Sequence, residues 1–281
     1  MDEKIAILTD STCDLERDTI DRFGIEVLPL KIIYRDRVLL DRVEIAPQEI
    51  YDSLEREVPS TSTPSPHEAT VTLQRLRERG FTHVLAIHLS SGLSGTCNMV
   101  RLAAEQFQHL KTAVIDSKSL SMGLGLVVQQ AARWIEERVP FDELVARTQE
   151  MVTRTKGYFV VKTLEYLKRG GRINTVAAAV AGVLDLKPVI SIDEHGKYFS
   201  YKKVRGRKQS LQELLDIVKR AIAQGANRVA VVHGDALMEA QELLIKVKEL
   251  PGLVEVAFGE IGPALVVHAG PGLVGVVTTR A

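Results

Sequence analysis

Residues 84–96 have the sequence VLAIHLSSGLSGT, in which an apolar run, Val84 to Leu89, is followed by a polar turn, Ser90 to Thr96, that contains two glycines. A helical pattern begins near Cys97, so the stretch predicts a strand followed by a helix. At such a junction the free N–H groups of the first helical turn, the helix dipole and nearby hydroxyls can converge on a carboxylate or a phosphate. The same residue types also cap an ordinary strand-to-helix connection, and both interpretations stay open at this point.

Two further polar turns in the first hundred residues have the same character. Asp10-Ser11-Thr12-Cys13-Asp14 follows the apolar run Ile5 to Leu8, and Thr61-Ser62-Thr63-Pro64-Ser65-Pro66 precedes a helix-like stretch. Ligands of parallel α/β sheets bind at the carboxyl ends of strands, and two of the three turns lie there. The three turns together favour an anion site.

Short apolar runs alternate with helical patterns through the first half of the chain, which predicts a parallel, doubly wound sheet. The predicted strands are Ile5 to Leu8, Glu26 to Ile33, Val84 to Leu89 and Thr112 to Ile115. The predicted helices are Gln48 to Glu57, Pro66 to Arg79, Cys97 to Gln106, Leu120 to Arg138 and Asp142 to Thr155.

The pattern changes near residue 157, which predicts an α/β domain over 1–157 and an α+β domain over 158–281. A strand, Tyr158 to Val161, opens the second half, and two helical segments flank residues 168–172. A hairpin is predicted from Val189 to Val204, because Glu194-His195-Gly196 has turn chemistry between two alternating runs. The remaining predicted elements are helices Ser210 to Ala223 and Ala236 to Leu250, and strands Arg228 to His233, Val254 to Ile261 and Leu273 to Thr279.

Composition excludes several classes of protein. The 281 residues carry 36 basic and 36 acidic side chains, so no overall field attracts nucleic acid or an acidic membrane. Aromatic residues make up only 5%, which argues against a base-stacking surface. The apolar stretches are too short for a membrane span and the N-terminus has no signal-peptide pattern, so a cytoplasmic protein is expected. Two cysteines are too few for a disulfide framework.

Standard catalytic motifs are missing or incomplete. The sequence contains no G-x-x-x-x-G-K-[ST] and no helix-opening G-x-G-x-x-G after the first strand. The segment Gly92 to Thr96 approaches a nucleophile elbow, but Thr96 stands where the second glycine is required. A serine hydrolase that uses Ser94 and His268 stays an alternative, as does a nucleotide-binding α/β module. The histidines and cysteines show no metal-ligand spacing.

The ordered polar segments together resemble the DegV family of bacterial fatty-acid-binding proteins. The segments that carry this resemblance are Asp10-Ser11-Thr12, Thr61-Ser62 with Pro64-Ser65, Ser90 to Thr96, Leu167 to Ile173, Lys203-Val204-Arg205 and His268 to Gly272. They occur in family order and span essentially the whole chain.

The resemblance implies a two-domain protein that holds one long-chain fatty acid, such as palmitate, in an apolar tunnel between and within the domains. Thr61 and Ser94 would hydrogen-bond the carboxylate with His268 close by, and Ser62 and the N–H groups near Gly95 and Thr96 would complete the ligand-binding set. Family members with an assigned role resemble carriers that present this carboxylate to a separate ATP-dependent fatty-acid kinase. The carrier itself would catalyse nothing and would need no cofactor or metal.

Two further segments are given roles by this resemblance. Arg172, Arg205 and Arg207 are candidates for contact with an acidic partner or a phosphorylated headgroup, although a basic run is often only a solvated surface. Residues 175–184, rich in alanine, are expected to form a helix that either lines the tunnel or packs in the core. The sequence departs from the family at Thr63, where glutamine is common, and at Cys97, where an aromatic residue is usual, so the shape of the pocket stays open.

Overall fold

The first sheet is built from β1 (Ile5–Asp10), β2 (Glu26–Leu28), β6 (His83–His88) and β7 (Lys111–Asp116). The computed structural model describes residues 3–107, 109–173, 176 and 186–280. In it these strands pair in parallel in the order β2-β1-β6-β7. The near-continuous apolar runs of β1 and β6 are explained by their burial on both faces, as is usual for parallel sheets.

Helices cover both faces of this sheet. The α3 (Pro66–Glu78) and α4 (Thr96–Ala104) helices pack on one face, and α5 (Met122–Glu136) packs on the other. The remaining helices of this half are α1 (Arg17–Phe23), α2 (Pro47–Ser53) and α6 (Phe141–Arg154). The prediction of a doubly wound parallel sheet is confirmed.

A small antiparallel sheet was not predicted. It consists of β3 (Lys31–Ile33), β4 (Val38–Leu40) and β5 (Ser60–Ser62), in the order β4-β3-β5. The single strand predicted over Glu26 to Ile33 is therefore wrong: Pro29, which lacks a backbone donor, separates β2 from β3, and the two strands belong to different sheets. The prediction of a turn that begins at Thr61 is also wrong, because Thr61 pairs with Ile32 inside the small sheet.

The second half contains a six-stranded mixed sheet. Its strands are β8 (Lys156–Val160), β9 (Val189–Ile192), β10 (Tyr198–Lys202), β11 (Arg228–Gly234), β12 (Glu255–Glu260) and β13 (Leu273–Thr279), in the order β10-β9-β8-β13-β11-β12. The predicted hairpin is present as β9 and β10. The last strand in sequence, β13, lies inside the sheet and pairs antiparallel with both β8 and β11.

Two long helices cover the outer face of this sheet, and its inner face turns toward the first half. The outer helices are α8 (Arg207–Ala223) and α9 (Leu237–Lys248), and two short ones are α7 (Glu165–Arg169) and α10 (Pro263–Ala269). No prediction was made for α10, because its seven residues are almost all buried and show no amphipathic period.

Three remaining expectations concern the helix over residues 175–184, the domain boundary and membrane-spanning segments. The predicted helix over 175–184 lies outside the described residues apart from Val176. The predicted domain boundary at residue 157 falls within β8 and stays a prediction. No helix in the described parts of the chain combines the length and the apolar character needed to cross a membrane.

Candidate functional site

A cavity of about 280 Å³ lies between the carboxyl ends of the first sheet and the inner face of the six-stranded sheet. Most of its wall is apolar. Side chains from both halves contribute to that wall: Leu30, Leu89, Leu93, Phe159, Leu167, Ile192, Val232, Ile261, Leu265, Leu273 and Val277. The cavity can therefore enclose an apolar group that neither half could cover alone.

The wall also includes a group of polar residues brought together from distant parts of the chain. These are Thr61, Ser62, Thr63, Ser94, Gly95, Arg172 and His268. Thr61 comes from β5 and His268 from α10, and the Thr61 hydroxyl lies 2.8 Å from Nε2 of His268. The cavity thus combines a mainly apolar wall with a group of hydrogen-bonding side chains.

The turn that carries Ser94 is fixed by its own hydrogen bonds. The Ser94 N–H donates to the Ser90 carbonyl at 3.0 Å, and the Thr96 N–H donates to the Ser94 hydroxyl at 3.3 Å. The hydroxyls of Ser94 and Thr96 lie 3.0 Å apart. Gly95 caps α4, and Thr96 is its first residue. Thr96 itself does not line the cavity, and its N–H, which the sequence offered to the ligand, is engaged by the Ser94 hydroxyl.

The same turn packs against the β9–β10 hairpin of the other half. The Ser90 hydroxyl donates to the Gly196 carbonyl at 2.7 Å. Any side chain at Gly92 would collide with the backbone of residues 195 and 196. Gly196 has a φ of +77°, which L-residues rarely adopt. The position of Ser94 therefore depends on contacts made by both halves.

His268 is electrically neutral in this site. Its burial and the nearby Arg172 guanidinium lower the pKa of the imidazole to about 4. Its Nδ1 atom is buried with no hydrogen-bond partner among the described residues, and a Cβ at Gly170 would collide with the ring. At neutral pH the imidazole is therefore uncharged, and the positive charge in this part of the wall is that of Arg172.

Arg172 supplies a positive charge among the polar residues of the cavity. Its side chain donates to two backbone carbonyls, from Nε to Leu93 at 3.3 Å and from a terminal nitrogen to Gly170 at 2.5 Å. Gly171, just after α7, has a φ of +70°, which glycine adopts readily and which ends the helix there. The sequence made Arg172 a candidate for contact with a partner or a phosphorylated headgroup, which stays a prediction, and the structure places the residue in the cavity wall.

Arg205 and Arg207 do not line this cavity. Arg207 is the first residue of α8 and makes a two-pronged ion pair with Glu239, at 3.0 and 2.5 Å. Arg205 forms a backbone bridge with Leu186. The predicted set of three cations is thus divided between the cavity and the surface.

The hydrogen bonds between described residues do not join Ser94 and His268 in a nucleophilic triad. His268 pairs with Thr61, whereas the Ser94 hydroxyl pairs with Thr96. Burial raises the pKa of both thiols, to about 12 for Cys13 and about 11 for Cys97, so neither is a thiolate at neutral pH. Among the residues that the structure describes, no cluster of histidine, cysteine or acidic side chains could hold a metal ion.

Several lining residues had no signal in the sequence. Gly157 and Phe159 alternate along β8, and both face the cavity together with Val277 of β13. Tyr198 stacks edge-on against Phe159, with ring centroids 5.2 Å apart. Period-two alternation could have identified the inward face of β8, but not that a cavity lies over it.

Comparison with known proteins gives consistent matches over the whole chain. A family model described as the uncharacterised DegV family matches residues 4–281. The chain is 43% identical over 274 residues to a DegV domain-containing protein of Clostridium perfringens, covering 98% of each chain. It is similar to a DegV family protein from Thermus thermophilus described by its fatty acid binding, with a TM-score of 0.92, 31% identity and coverage of 99% and 100%. A stearic acid-binding protein from Eubacterium ventriosum matches with a TM-score of 0.89, 26% identity and coverage of 99% and 98%.

Proposed function

This chain belongs to the DegV family, and we propose that it is a carrier that binds a long-chain fatty acid, such as palmitate, in the cavity between its two sheets. The observation that carries the proposal is a mainly apolar cavity whose wall holds Thr61, Ser94, Arg172 and His268. The similar proteins described as fatty-acid binding support the same ligand class.

The tail of the acid is expected to provide most of the affinity. Burial of one CH₂ group contributes about 0.8 kcal/mol, so roughly fourteen methylenes contribute on the order of 10 kcal/mol before the cost of association. A hydrogen bond to a charged group contributes only about 1.5 to 3 kcal/mol. The polar end therefore sets the orientation of the acid and offsets the desolvation of its carboxylate.

Thr61, Ser94 and Arg172 have distinct roles in holding the carboxylate. When Nε2 of the neutral His268 carries the proton, it donates to the Thr61 oxygen, which leaves the Thr61 hydroxyl proton free to donate to the ligand. The Ser94 hydroxyl can donate in the same way, and the Thr96 N–H that it accepts keeps it in place. Arg172 provides the positive charge that His268 lacks.

The carrier would present this carboxylate to a separate ATP-dependent kinase. An ionised carboxylate oxygen attacks the γ-phosphorus of ATP, the bond to the β-phosphate oxygen breaks, and acyl phosphate and ADP result. The acid is already ionised at neutral pH, so the carrier needs no general base and no catalytic residue of its own. Arg172 and Arg205 are candidates for contact with that partner or with the phosphorylated headgroup. We propose the cytoplasm as the place of this transfer. Arg207, whose guanidinium is paired with Glu239, is a third candidate for this contact.

Native mass spectrometry of the protein purified from cells tests this function. The expected result is an added mass that equals a long-chain fatty acid and that disappears on organic extraction. The delipidated protein should then take up added palmitate in a one-to-one complex. A protein that is empty as purified and that ignores palmitate would refute the proposed function.

A further inference from the structure

Asp41 is fully buried, and its two carboxylate oxygens bind to different elements of the fold. Oδ1 accepts a hydrogen bond from the Ala264 N–H at 3.1 Å, and Oδ2 accepts one from the Ser11 hydroxyl at 2.5 Å. The Ser11 oxygen in turn accepts the Leu30 N–H at 3.0 Å. Asp41 therefore joins the start of α10 to the turn after β1. Ala264 on one side of this junction and Leu30 on the other both line the cavity.

A second buried carboxylate holds the same end of α10. Oδ1 of Asp14 accepts from the Gly262 N–H at 3.0 Å and from Arg42 at 2.7 Å, and its Oδ2 accepts from the Ser121 hydroxyl at 2.5 Å. Pro263, between the two donors, has no N–H to satisfy. The N–H groups of residues 262 and 264, at the start of α10, thus both donate to carboxylates. Negative groups are favoured at this end of a helix because the helix dipole is positive there.

The α10 helix is short, and residues near both of its ends line the cavity. Ala264, Leu265, His268 and Ala269 all line the cavity. Because seven residues make about two turns, a shift at Ala264 moves His268 as part of the same rigid unit. His268 then moves relative to Thr61, which is held in β5 by its pairing with β3.

We propose that Asp41 is a positioning residue for the carboxylate end of the cavity, acting through α10 on His268 and Thr61, and that its ionisation makes this positioning depend on pH. The inference rests on the proposed binding of a fatty acid in that cavity.

The environment of Asp41 explains why its charge changes in an accessible pH range. Burial and the neighbouring Asp14 raise the pKa of Asp41 to about 6, against the opposing effects of Ser11, the Ala264 amide and Arg42. Two other titratable groups surround this junction, Asp14 and Glu260, and burial raises the pKa of each carboxyl while Arg42 opposes the shift. Between pH 7 and pH 5 Asp41 gains a proton, and the bond from Ala264 changes from a charge-assisted one to a neutral one of about half the strength.

The experiment uses the full chain in four forms: the unchanged protein, Asp41→Asn, Ser11→Ala and the exposed control Asp36→Asn. The Ala264 amide signal is followed by NMR from pH 7.5 to 4.5, and palmitate affinity is measured at pH 7 and pH 5. In the unchanged protein and in the control, the amide should titrate with a midpoint near 6. The midpoint should move to higher pH in Ser11→Ala, because the Ser11 hydrogen bond lowers the pKa of Asp41. The transition should be absent in Asp41→Asn.

Affinity for palmitate gives the functional part of the test. From pH 7 to pH 5 the unchanged protein should lose about tenfold more affinity than Asp41→Asn, as expected for the loss of about one charge-assisted hydrogen bond. Protonation of palmitate itself is common to all four forms and cancels in the comparison. An unaltered amide titration in Asp41→Asn, or an equal loss of affinity in both, would overturn the inference. If Asp41→Asn does not fold, an unmoved midpoint in Ser11→Ala overturns it instead. Absence of palmitate binding in every form at both pH values would refute the proposed function itself.

Discussion

Gly157 is the position at which a single side chain should change the length of acid that the cavity accepts. It lies on β8 opposite Val277, and both residues face the cavity. Within the part of the chain that the structure describes, a Cβ built at Gly157 meets only one neighbouring atom within 4 Å, a methyl group of Val277 at 3.9 Å. A larger side chain there therefore extends into the space assigned to the tail. The substitution Gly157→Leu adds four carbons at this point.

The size of the effect follows from the tail methylenes that are displaced. Four methylenes at about 0.8 kcal/mol each correspond to about 3 kcal/mol, which is roughly 200-fold in affinity. We therefore expect Gly157→Leu to bind a sixteen-carbon acid about 200-fold more weakly. Acids short enough to end before the new side chain should lose little. The empty variant should also unfold at a higher temperature, because a strand glycine is replaced and the cavity is partly filled.

Isothermal titration calorimetry with a series of saturated acids of increasing length measures this effect. Gly259→Leu is the matched control, since Gly259 is also a strand glycine with open space around it but does not line the cavity. The control should retain the order of affinities of the unchanged protein. If Gly157→Leu binds the whole series in that same order and with the same strength, the tail does not lie over β8.

Three further predictions concern the carboxylate end. The double variant Thr61→Ala with Ser94→Ala should reduce transfer of a phosphoryl group to the bound acid more than it reduces lipid retention, and unchanged transfer with a kinase would contradict the assigned roles. Gly170→Ala should displace the His268 ring from Thr61, which a crystal structure of the variant checks directly. His268, whose folded pKa of about 4 lies below its ordinary 6.5, should stabilise the fold above pH 6.5 relative to lower pH. This contribution is lost as pH falls toward 4, because only the unfolded chain binds the proton in that window. Denaturation at pH 7 and pH 5 should show a smaller loss of stability for His268→Gln than for the unchanged protein.

The sequence predicted the architecture better than the details of the site. Alternating apolar runs were sufficient for the parallel sheet, because burial on both faces leaves a clear pattern in β1 and β6. The β5 strand was missed because Ser60–Ser62 is short, polar and only partly buried, so nothing in its composition separates it from a turn. The α10 helix was missed because burial around its whole circumference removes the period on which such predictions depend.

The meeting of Thr61 with His268 could be expected only from the family resemblance. The two residues are 207 positions apart and lie on elements that local patterns did not predict. Arg172 was a candidate for contact with a partner or a phosphorylated headgroup, and nothing in its local sequence, a basic segment beside a glycine pair, predicts that it enters the wall of a cavity. Its entry into the cavity wall depends on the fold around Gly170 and Leu93, which accept its hydrogen bonds.

The central place of β13 in the six-stranded sheet restricts when lipid can be captured. Its neighbours β8 and β11 have no pairing with each other, and Gly275, Val276 and Val277 form part of the cavity wall. During synthesis, β8 and β11 leave the ribosome long before the strand that joins them, so the wall is incomplete until residues 273–279 have been made. Loading is thereby confined to molecules whose translation has passed this strand. On the proposed function, products that end before β13 would lack this part of the wall and would hold lipid less well.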